Sequence, residues 1–179
     1  QPQFDYATSF QEEIAIVYKG IKMFLINKKG QIISELPYAV VGQFINNRAF
    51  VKTVSNKMGV INKMAKLIID TAFKEISPFV EGIANVEGVN HNPDASKAEN
   101  VNFEVGVIDT LGKFIIPFGL YRSIEKLNEG KFIARKIDKD TTGNKSTEVV
   151  LYKDGKVLLP HPLKNHEIFY GNFKNGIIR

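Results

Sequence analysis

The sequence predicts an all-β protein of about four tandem, three-stranded antiparallel β-meander repeats. Segments of similar pattern begin at Phe24, Gly59, Gly106 and Val149, a few tens of residues apart. Each segment has apolar runs on both sides of a short polar break, which is the pattern of a β-hairpin. Repeats of this length predict one continuous array whose units bury their apolar faces against each other. Both an open array and a small, closed, propeller-like ring fit this pattern.

The whole chain, 1–179, is expected to form a single repeat domain. Its approximate units are 10–43, 44–78, 79–126 and 127–172, followed by a partial unit at 173–179. A strand opens each unit, and in the first three it carries Ala15, Ala49 or Ala84 with a Val two residues later. The period of two in a strand places this Ala and Val on one face. The small Ala predicts that the neighbouring unit approaches closely there.

The hairpin of each unit is predicted to turn through four residues. Three of the turns end in Gly, namely Asn27–Gly30, Asp109–Gly112 and Tyr152–Gly155. This pattern predicts a type I turn followed by a left-handed Gly and a β-bulge, with the leading Asn or Asp accepting hydrogen bonds from the turn backbone. Ala65 stands at the Gly position of the second unit, where a left-handed conformation is strained.

The sequence also indicates which segments form strands and where the last strand of each unit ends. Residues 62–73 allow a helical interpretation, but the aligned units carry turn and strand signals there, and we therefore predict a hairpin. The last strand of each unit is expected to end before a residue that is acidic or proline, because proline cannot continue the pairing. These residues are Glu35, Asp70, Pro117 and Pro160.

Two polar inserts lengthen the third and fourth units between their first and second strands. They cover 87–102 and 136–147, and they are rich in Asn, Asp and other turn-forming residues, which predicts loops. Binding residues concentrate in long loops on a rigid scaffold. The candidate binding residues are therefore His91, Asn92 and Asp94 in the first insert, and Asp138, Asp140 and Asn144 in the second.

Lysines recur around the predicted turns. Lys28, Lys63 and Lys153 occupy equivalent turn positions, and Lys66, Lys113 and Lys156 follow the turns. If the units stack regularly, these residues form a basic ridge suited to an acidic protein or an anionic envelope polymer. The alternative is that solvated lysines only discourage pairing between sheet edges. Lys63, Lys113 and Lys153 are included among the candidate binding residues.

The charge distribution does not favour nucleic acid as a partner. The formal net charge is +5, but only four of the 24 basic residues are Arg, and the Lys residues are scattered through the chain. Proteins that read nucleic acids usually concentrate Lys and Arg on one element.

Patterns for metal binding are weak. The sequence has three His and no Cys, and the spacing of His161 and His166 does not define a zinc site. The segment from Asp138 begins like a calcium-binding loop, but Val149 stands where the bidentate carboxylate belongs. No metal and no cofactor is expected.

Patterns for catalysis are equally weak. Phosphate-binding glycine loops and a Gly-x-Ser-x-Gly motif are absent. Glu12 with Glu13, and Glu125 with Glu129, are the acid pairs considered for hydrolysis. Neighbouring residues on a strand point to opposite faces, so Glu12 and Glu13 are not expected to act together. We therefore expect that the protein is not an enzyme.

The units resemble the bacterial WG-repeat family. They follow the pattern Phe-x-x-Gly-x-Ala-x-Val and then Gly-Val-Ile-Asn-Lys, most clearly over 58–86 and 105–117, and the resemblance runs from about Phe10 to Arg179. The copies are degenerate, because Met23, Met58, Val105 and Glu148 replace the Trp that names the family. The Gly that follows is kept only as Gly59 and Gly106. The resemblance implies all-β modules, often exported or attached to other domains, and no catalytic residue.

We expect a non-catalytic binding or scaffold module that recognises a protein or an envelope polymer through its inter-strand loops. The alternative is a small carbohydrate-active or other hydrolase with a site between units. No apolar run approaches the ~20 residues of a membrane-spanning helix. The chain begins with Gln1, which fits either a removed signal peptide or the boundary of a longer chain. A periplasmic or extracellular location is expected, with a cytoplasmic one as the alternative.

Overall fold

The fold is known from a computed structural model, which describes residues 3–88, 105–127, 130–137, 146–159, 173–174 and 177–178. Regular structure in these segments is entirely β, which confirms the predicted fold class. Residues 62–73 form a turn and a strand, as the hairpin prediction requires. None of the described residues lies in a helix long and apolar enough to cross a membrane.

The strands follow the repeats. The first sheet contains β1 (Tyr6–Ala7), β2 (Ile14–Lys19), β3 (Lys22–Asn27) and β4 (Ile32–Leu36), paired antiparallel in that order. The second contains β5 (Val40–Val41), β6 (Arg48–Lys52), β7 (Met58–Asn62) and β8 (Leu67–Phe73), again in chain order. The third repeat supplies β9 (Glu75–Ile76), β10 (Ile83–Glu87), β11 (Val105–Asp109) and β12 (Phe114–Ile116).

The fourth repeat forms another antiparallel sheet in chain order. Its strands are β13 (Ser123–Lys126), β14 (Lys131–Ile137), β15 (Ser146–Tyr152) and β16 (Val157–Leu159). Two short strands, β17 (Phe173–Lys174) and β18 (Ile177–Ile178), pair with each other near the end of the chain. Each sheet is a linear order of strands and does not close on itself.

Each repeat has one strand more than the three predicted. The strand predicted to open the first unit is divided by a tight turn, with Gln11 and Ile14 bonded to each other across Glu12 and Glu13. Both turn residues have positive φ, 49° and 79°, as a type I′ turn requires. The same turn recurs at 46–47 and at 81–82. Asn and Gly are usual at such positions, whereas Glu is not, so the turn at Glu12 was not predicted.

The turns predicted for the hairpins are confirmed, and they connect the third and fourth strands of each repeat. Gly30, Gly112 and Gly155 have φ between 74° and 81°, and Ala65 has φ 57° at the equivalent place. A β-bulge follows in each of the four repeats, seen as a shift in pairing register. The side chain of Asn62 accepts the amide N–H groups of Met64 and Lys66 at 2.9 and 3.0 Å.

Two of the predicted strand ends are wrong. Glu35 lies inside β4 and Asp70 lies inside β8, because an exposed acidic side chain on an edge strand does not interrupt the backbone pairing. Pro117 does follow the end of β12, and Pro160 lies outside the described residues. The second insert is also shorter than predicted, because β14 and β15 remain paired as far as Ile137 and Ser146.

The glycines of the family motif are required by close backbone approach. A Cβ atom at Gly59 would lie 2.7 Å from the carbonyl oxygen of Ile69 on β8. A Cβ atom at Gly106 would lie 2.8 Å from the carbonyl oxygen of Ile116 on β12. In both repeats the backbone of the fourth strand therefore lies so close to the third strand that only Gly fits at this position.

The chain divides into two compact units, Gln1–Ile76 and Ser77–Arg179. In the first unit, one face of the first sheet packs against the facing side of the second. The side chains that meet there include Ile14, Ile16 and Leu25 from the first sheet, and Ala49, Val51 and Ile61 from the second. Ala49 is buried at this junction, where the sequence predicted close approach.

The second unit has a core of the same kind. Ile83, Val107 and Ile116 of the third repeat pack with Phe132 and Leu151 of the fourth. Phe132 occupies the position that Ala holds in the first three repeats, and it is fully buried. The larger ring shows that this position does not require Ala in every repeat.

Candidate functional site

The candidate residues of the two inserts are His91, Asn92, Asp94, Asp138, Asp140 and Asn144, and all six lie outside the described residues. The structure does describe the strands that carry the inserts. The first insert connects β10 to β11, and the second connects β14 to β15. The same connection holds only Gly20 and Ile21 in the first repeat, so both inserts extend one equivalent hairpin turn.

Glu12 is a structural residue that fastens the first repeat to the second. Its carboxylate accepts the amide N–H groups of Asn46 and Asn47, both at 2.8 Å, one on each oxygen. Lys63 Nζ lies 3.4 Å from the same carboxylate. We call this arrangement the Glu12 clamp. Chiefly because the Asn47 amide donates to it, and with help from Asn46 and Lys63, the pKa of Glu12 lies below its usual value.

The other member of the predicted acid pair has a separate partner. Glu13 forms an ion pair with Lys28, the turn lysine of its own repeat. In the third repeat, Glu81 stands at the position equivalent to Glu12 and pairs with Lys126 at 3.2 Å. The acidic turn residues Glu12, Glu13 and Glu81 therefore pair with three different lysines.

The candidate lysines have different surroundings. Lys63 is engaged by Glu12, so an acidic partner would have to compete for it. Lys113 and Lys153 form no ion pair within the described part of the chain. Lys113 is exposed, and its backbone N–H donates to the Asp109 carboxylate at 3.0 Å. Lys153 is also exposed and lies beside Gly130.

A row of exposed apolar side chains recurs at one position of every repeat. The first residue of the fourth strand is Ile32, Leu67, Phe114 or Val157, and these side chains are 50%, 46%, 39% and 48% exposed. We call these four residues the edge row, because each lies on the last strand of its sheet. Each one pairs across the bulge with a buried apolar residue, namely Ile26, Ile61, Ile108 or Leu151.

The sequence alone does not distinguish the edge row as an exposed surface. An apolar residue in a strand does not by itself show which face of the sheet is exposed. The available signal is their recurrence directly after the polar residue that follows each turn. Gln31, Lys66, Lys113 and Lys156 come immediately before the four edge-row residues.

Metal-binding groups are not gathered in the described segments. No group of three or more His, Asp or Glu residues there is placed to hold a metal ion. Tyr38 and Tyr121 hold equivalent positions ahead of β5 and β13 and pack against the two cores, and burial raises the pKa of both phenols. These features fit a structural framework.

Comparison with known families gives one result. The sequence model of the family described as WG containing repeat matches residues 1–22, 23–57, 58–87 and 106–139, which together make up more than half of the chain. The matched segments are offset from the sheets, because 23–57 runs from β3 to β6 and 58–87 runs from β7 to β10. No curated protein shows a significant match to the chain.

Proposed function

Because the chain belongs to the family of WG containing repeats, we propose that it is a non-catalytic binding module that holds an extended, acidic segment of a partner protein. The observation that carries this proposal is the edge row. One exposed apolar side chain stands at the same place in each of four repeats, on a strand that ends its sheet. Repeat scaffolds bind their partners through surfaces of this recurrent kind.

The charges beside the edge row favour an acidic partner. Lys66, Lys113 and Lys156 directly precede three of its four members, and the chain carries a formal net charge of +5. Lys66 and Lys113 form no ion pair within the segments that the structure describes. Lys156 is paired with Asp154, but both side chains are largely exposed, so this pair is readily exchanged for another.

Strand addition is the binding mode that uses these groups together. An edge strand offers unpaired backbone N–H and C=O groups, to which an extended peptide can add as a further strand. Side chains alternate between the faces of such a peptide. A segment of alternating acidic and apolar residues can therefore place its carboxylates near Lys66 and its apolar side chains against Leu67.

The apolar character of the edge row favours a protein over an anionic envelope polymer. A polymer of sugars and phosphates supplies negative charge but no apolar side chain to cover Ile32 or Phe114. The inserts at 87–102 and 136–147 extend hairpin turns of the same framework. In this proposal they add specificity for the partner, through residues such as His91 and Asp138.

The test uses a short fluorescent peptide of alternating Glu and Val and measures its binding by anisotropy. The double variant Ile32→Ser with Leu67→Ser is expected to weaken binding about thirtyfold, since each of the two lost apolar contacts costs of the order of 1 kcal/mol. The control is Ile21→Ser with Val54→Ser. These two side chains are 102% and 92% exposed but lie in turns outside the edge row.

Two results would overturn the proposal. One is equal binding of the peptide by the edge-row variant and the wild-type protein. The other is binding of oligogalacturonate without binding of the peptide, which would indicate a polymer rather than a protein. High salt should weaken peptide binding because exposed charges are screened.

A further inference from the structure

The compact unit Gln1–Ile76 contains a cleft whose lining includes none of the edge-row residues. Its volume is about 210 Å³, and its walls come from residues 6–11, the beginning of β2 and residues 41–44. This is smaller than the roughly 300–1,000 Å³ of pockets that enclose a drug-sized ligand. The cleft therefore has room for one ring or one unit of a longer chain.

The cleft presents polar side chains that form no hydrogen bond within the segments that the structure describes. Ser9, Gln11 and Gln43 line it, and within the described residues their side chains form no hydrogen bond. Gln11 is only half-exposed, so an unpaired carboxamide there is costly unless water or a ligand satisfies it. Each carboxamide both donates and accepts hydrogen bonds, as does the Ser9 hydroxyl.

The remaining walls are uncharged and mostly apolar, and the hydroxyl of Thr8, which also lines the cleft, already accepts the N–H of Ile16 at 3.0 Å. Ile14 and Phe44 are buried, each 5% exposed, and form the inner surface of the cleft. The Tyr6 ring lies at its margin, 63% exposed, and its position is fixed by contact with Tyr18 at a ring separation of 5.6 Å. The Tyr6 phenol is the only ionisable group in the lining, so the cleft offers no charge to a ligand.

The backbone beside the cleft is already paired, which disfavours a peptide strand. The N–H of Thr8 donates to Ile16, and the N–H of Gly42 donates to Phe50, at 2.9 and 2.8 Å. Gln11 and Ile14 also satisfy each other across the tight turn. Hydrogen bonds are therefore available from side-chain amides and a hydroxyl, whereas an added strand needs main-chain groups.

We infer that this cleft binds one neutral sugar residue of a glycan. A sugar ring has hydroxyl groups that both donate and accept, which match Ser9, Gln11 and Gln43. It also has a C–H face that can pack on an aromatic ring, and Tyr6 supplies one. The absence of charge in the lining excludes uronic acids and phosphorylated sugars as preferred ligands, because a buried charge without a partner is costly.

The experiment titrates the full chain with cellotriose, maltotriose and N,N′,N″-triacetylchitotriose, and follows amide and side-chain signals by NMR. At least one of these neutral probes is expected to shift the carboxamide signals of Gln11 and Gln43 in a saturable manner. Gln11→Ala and Gln43→Ala should each weaken binding about three- to tenfold, the usual cost of one hydrogen bond. Gln3→Ala is the matched control, because Gln3 is an exposed glutamine outside the lining.

A second variant makes the test independent of the glutamines. Ser9 is exposed, so Ser9→Trp is expected to fold and to block the cleft. Loss of sugar binding in Ser9→Trp, with unchanged binding by Ile32→Ser and Leu67→Ser, supports a site separate from the edge row. The inference is overturned if none of the three probes gives saturable shifts at the cleft, or if Ser9→Trp binds as well as the wild type.

Discussion

Several residues other than Gly have a left-handed backbone conformation, which is strained for most side chains. Among the described residues, Glu12, Glu13, Ala65 and Glu81 have positive φ although their side chains disfavour it. Ala65 could be predicted from sequence, because Gly occupies its position in the other three repeats. The pair Glu12–Glu13 could not, because its conformation is stabilised by contacts to residues more than thirty positions away, at Asn46 and Asn47.

Replacing Ala65 with Gly is expected to stabilise the protein. Relief of the left-handed strain contributes roughly 1–2 kcal/mol. The greater freedom of Gly in the unfolded chain and the loss of a half-buried methyl group against the first core offset part of it. A net gain of about 0.5 kcal/mol in the free energy of unfolding should appear in urea denaturation. Ala65→Val is the comparison, because a β-branched residue at φ 57° should destabilise by about 1 kcal/mol or more. A lower urea midpoint for Ala65→Gly than for the wild type would contradict this account of the turn.

Turns and strands differ in how far the sequence reveals them. The hairpin turns after β3, β7, β11 and β15 were predicted with their bulges, because their conformation is encoded in four consecutive residues. The sequence does not predict the short strands β1, β5 and β9, since two paired residues give no periodic signal. The candidate surface was only half predicted. The recurrent lysines were visible in the sequence, whereas the exposure of the edge row depends on which strand ends each sheet.

The Glu12 clamp couples two turns, and its effect on stability should depend on pH. The pKa of Glu12 is lower in the folded protein than its ordinary value of 4.5, so the folded state favours the charged carboxylate. The resulting stability is complete above the ordinary pKa and is lost as the pH falls through the lowered pKa. Glu12→Gln should therefore lower the melting temperature at neutral pH, and the difference from wild type should shrink in acid.

The matched control for the clamp is Glu35→Gln. Glu35 pairs with Lys22 at 3.1 Å, both side chains are more than half exposed, and no backbone amide donates to this carboxylate in the described structure. Its replacement should change the melting temperature little, because exposed ion pairs contribute little. A melting difference for Glu12→Gln that stays constant from neutral pH into acid would show that the clamp does not act through charge.

The whole molecule is a framework of repeated sheets that varies mainly at one connection. The hairpin between the second and third strands of a repeat has two residues between paired Lys19 and Lys22, but it holds the long insert between Glu87 and Val105. The sequence predicted both inserts from composition. Their partner could not be predicted, because polar loops of this composition serve many kinds of recognition.

Shortening both inserts should leave the framework intact. The variant joins Glu87 to Val105, and Ile137 to Ser146, through Asn-Gly, which forms the type I′ turn suited to a two-residue connection. Because loop length contributes little entropy, the melting temperature should change by only a few degrees. Far-ultraviolet circular dichroism should still show a strand spectrum. Loss of that spectrum would mean that the inserts belong to the folded core.

The Glu12 clamp also bears on how an array of this kind can lengthen by gene duplication. Its hydrogen-bond donors at positions 46 and 47 are main-chain N–H groups, so they are inherited with the shape of a two-residue turn and not with a particular side chain. A newly copied repeat can then be joined to its neighbour before any compensating substitution has arisen. Mutational scanning should reflect this asymmetry: position 12 should accept few residues, while positions 46 and 47 should accept Gly, which keeps positive φ. Side-chain substitutions at positions 46 and 47 are thus compatible with the same contact between neighbouring repeats.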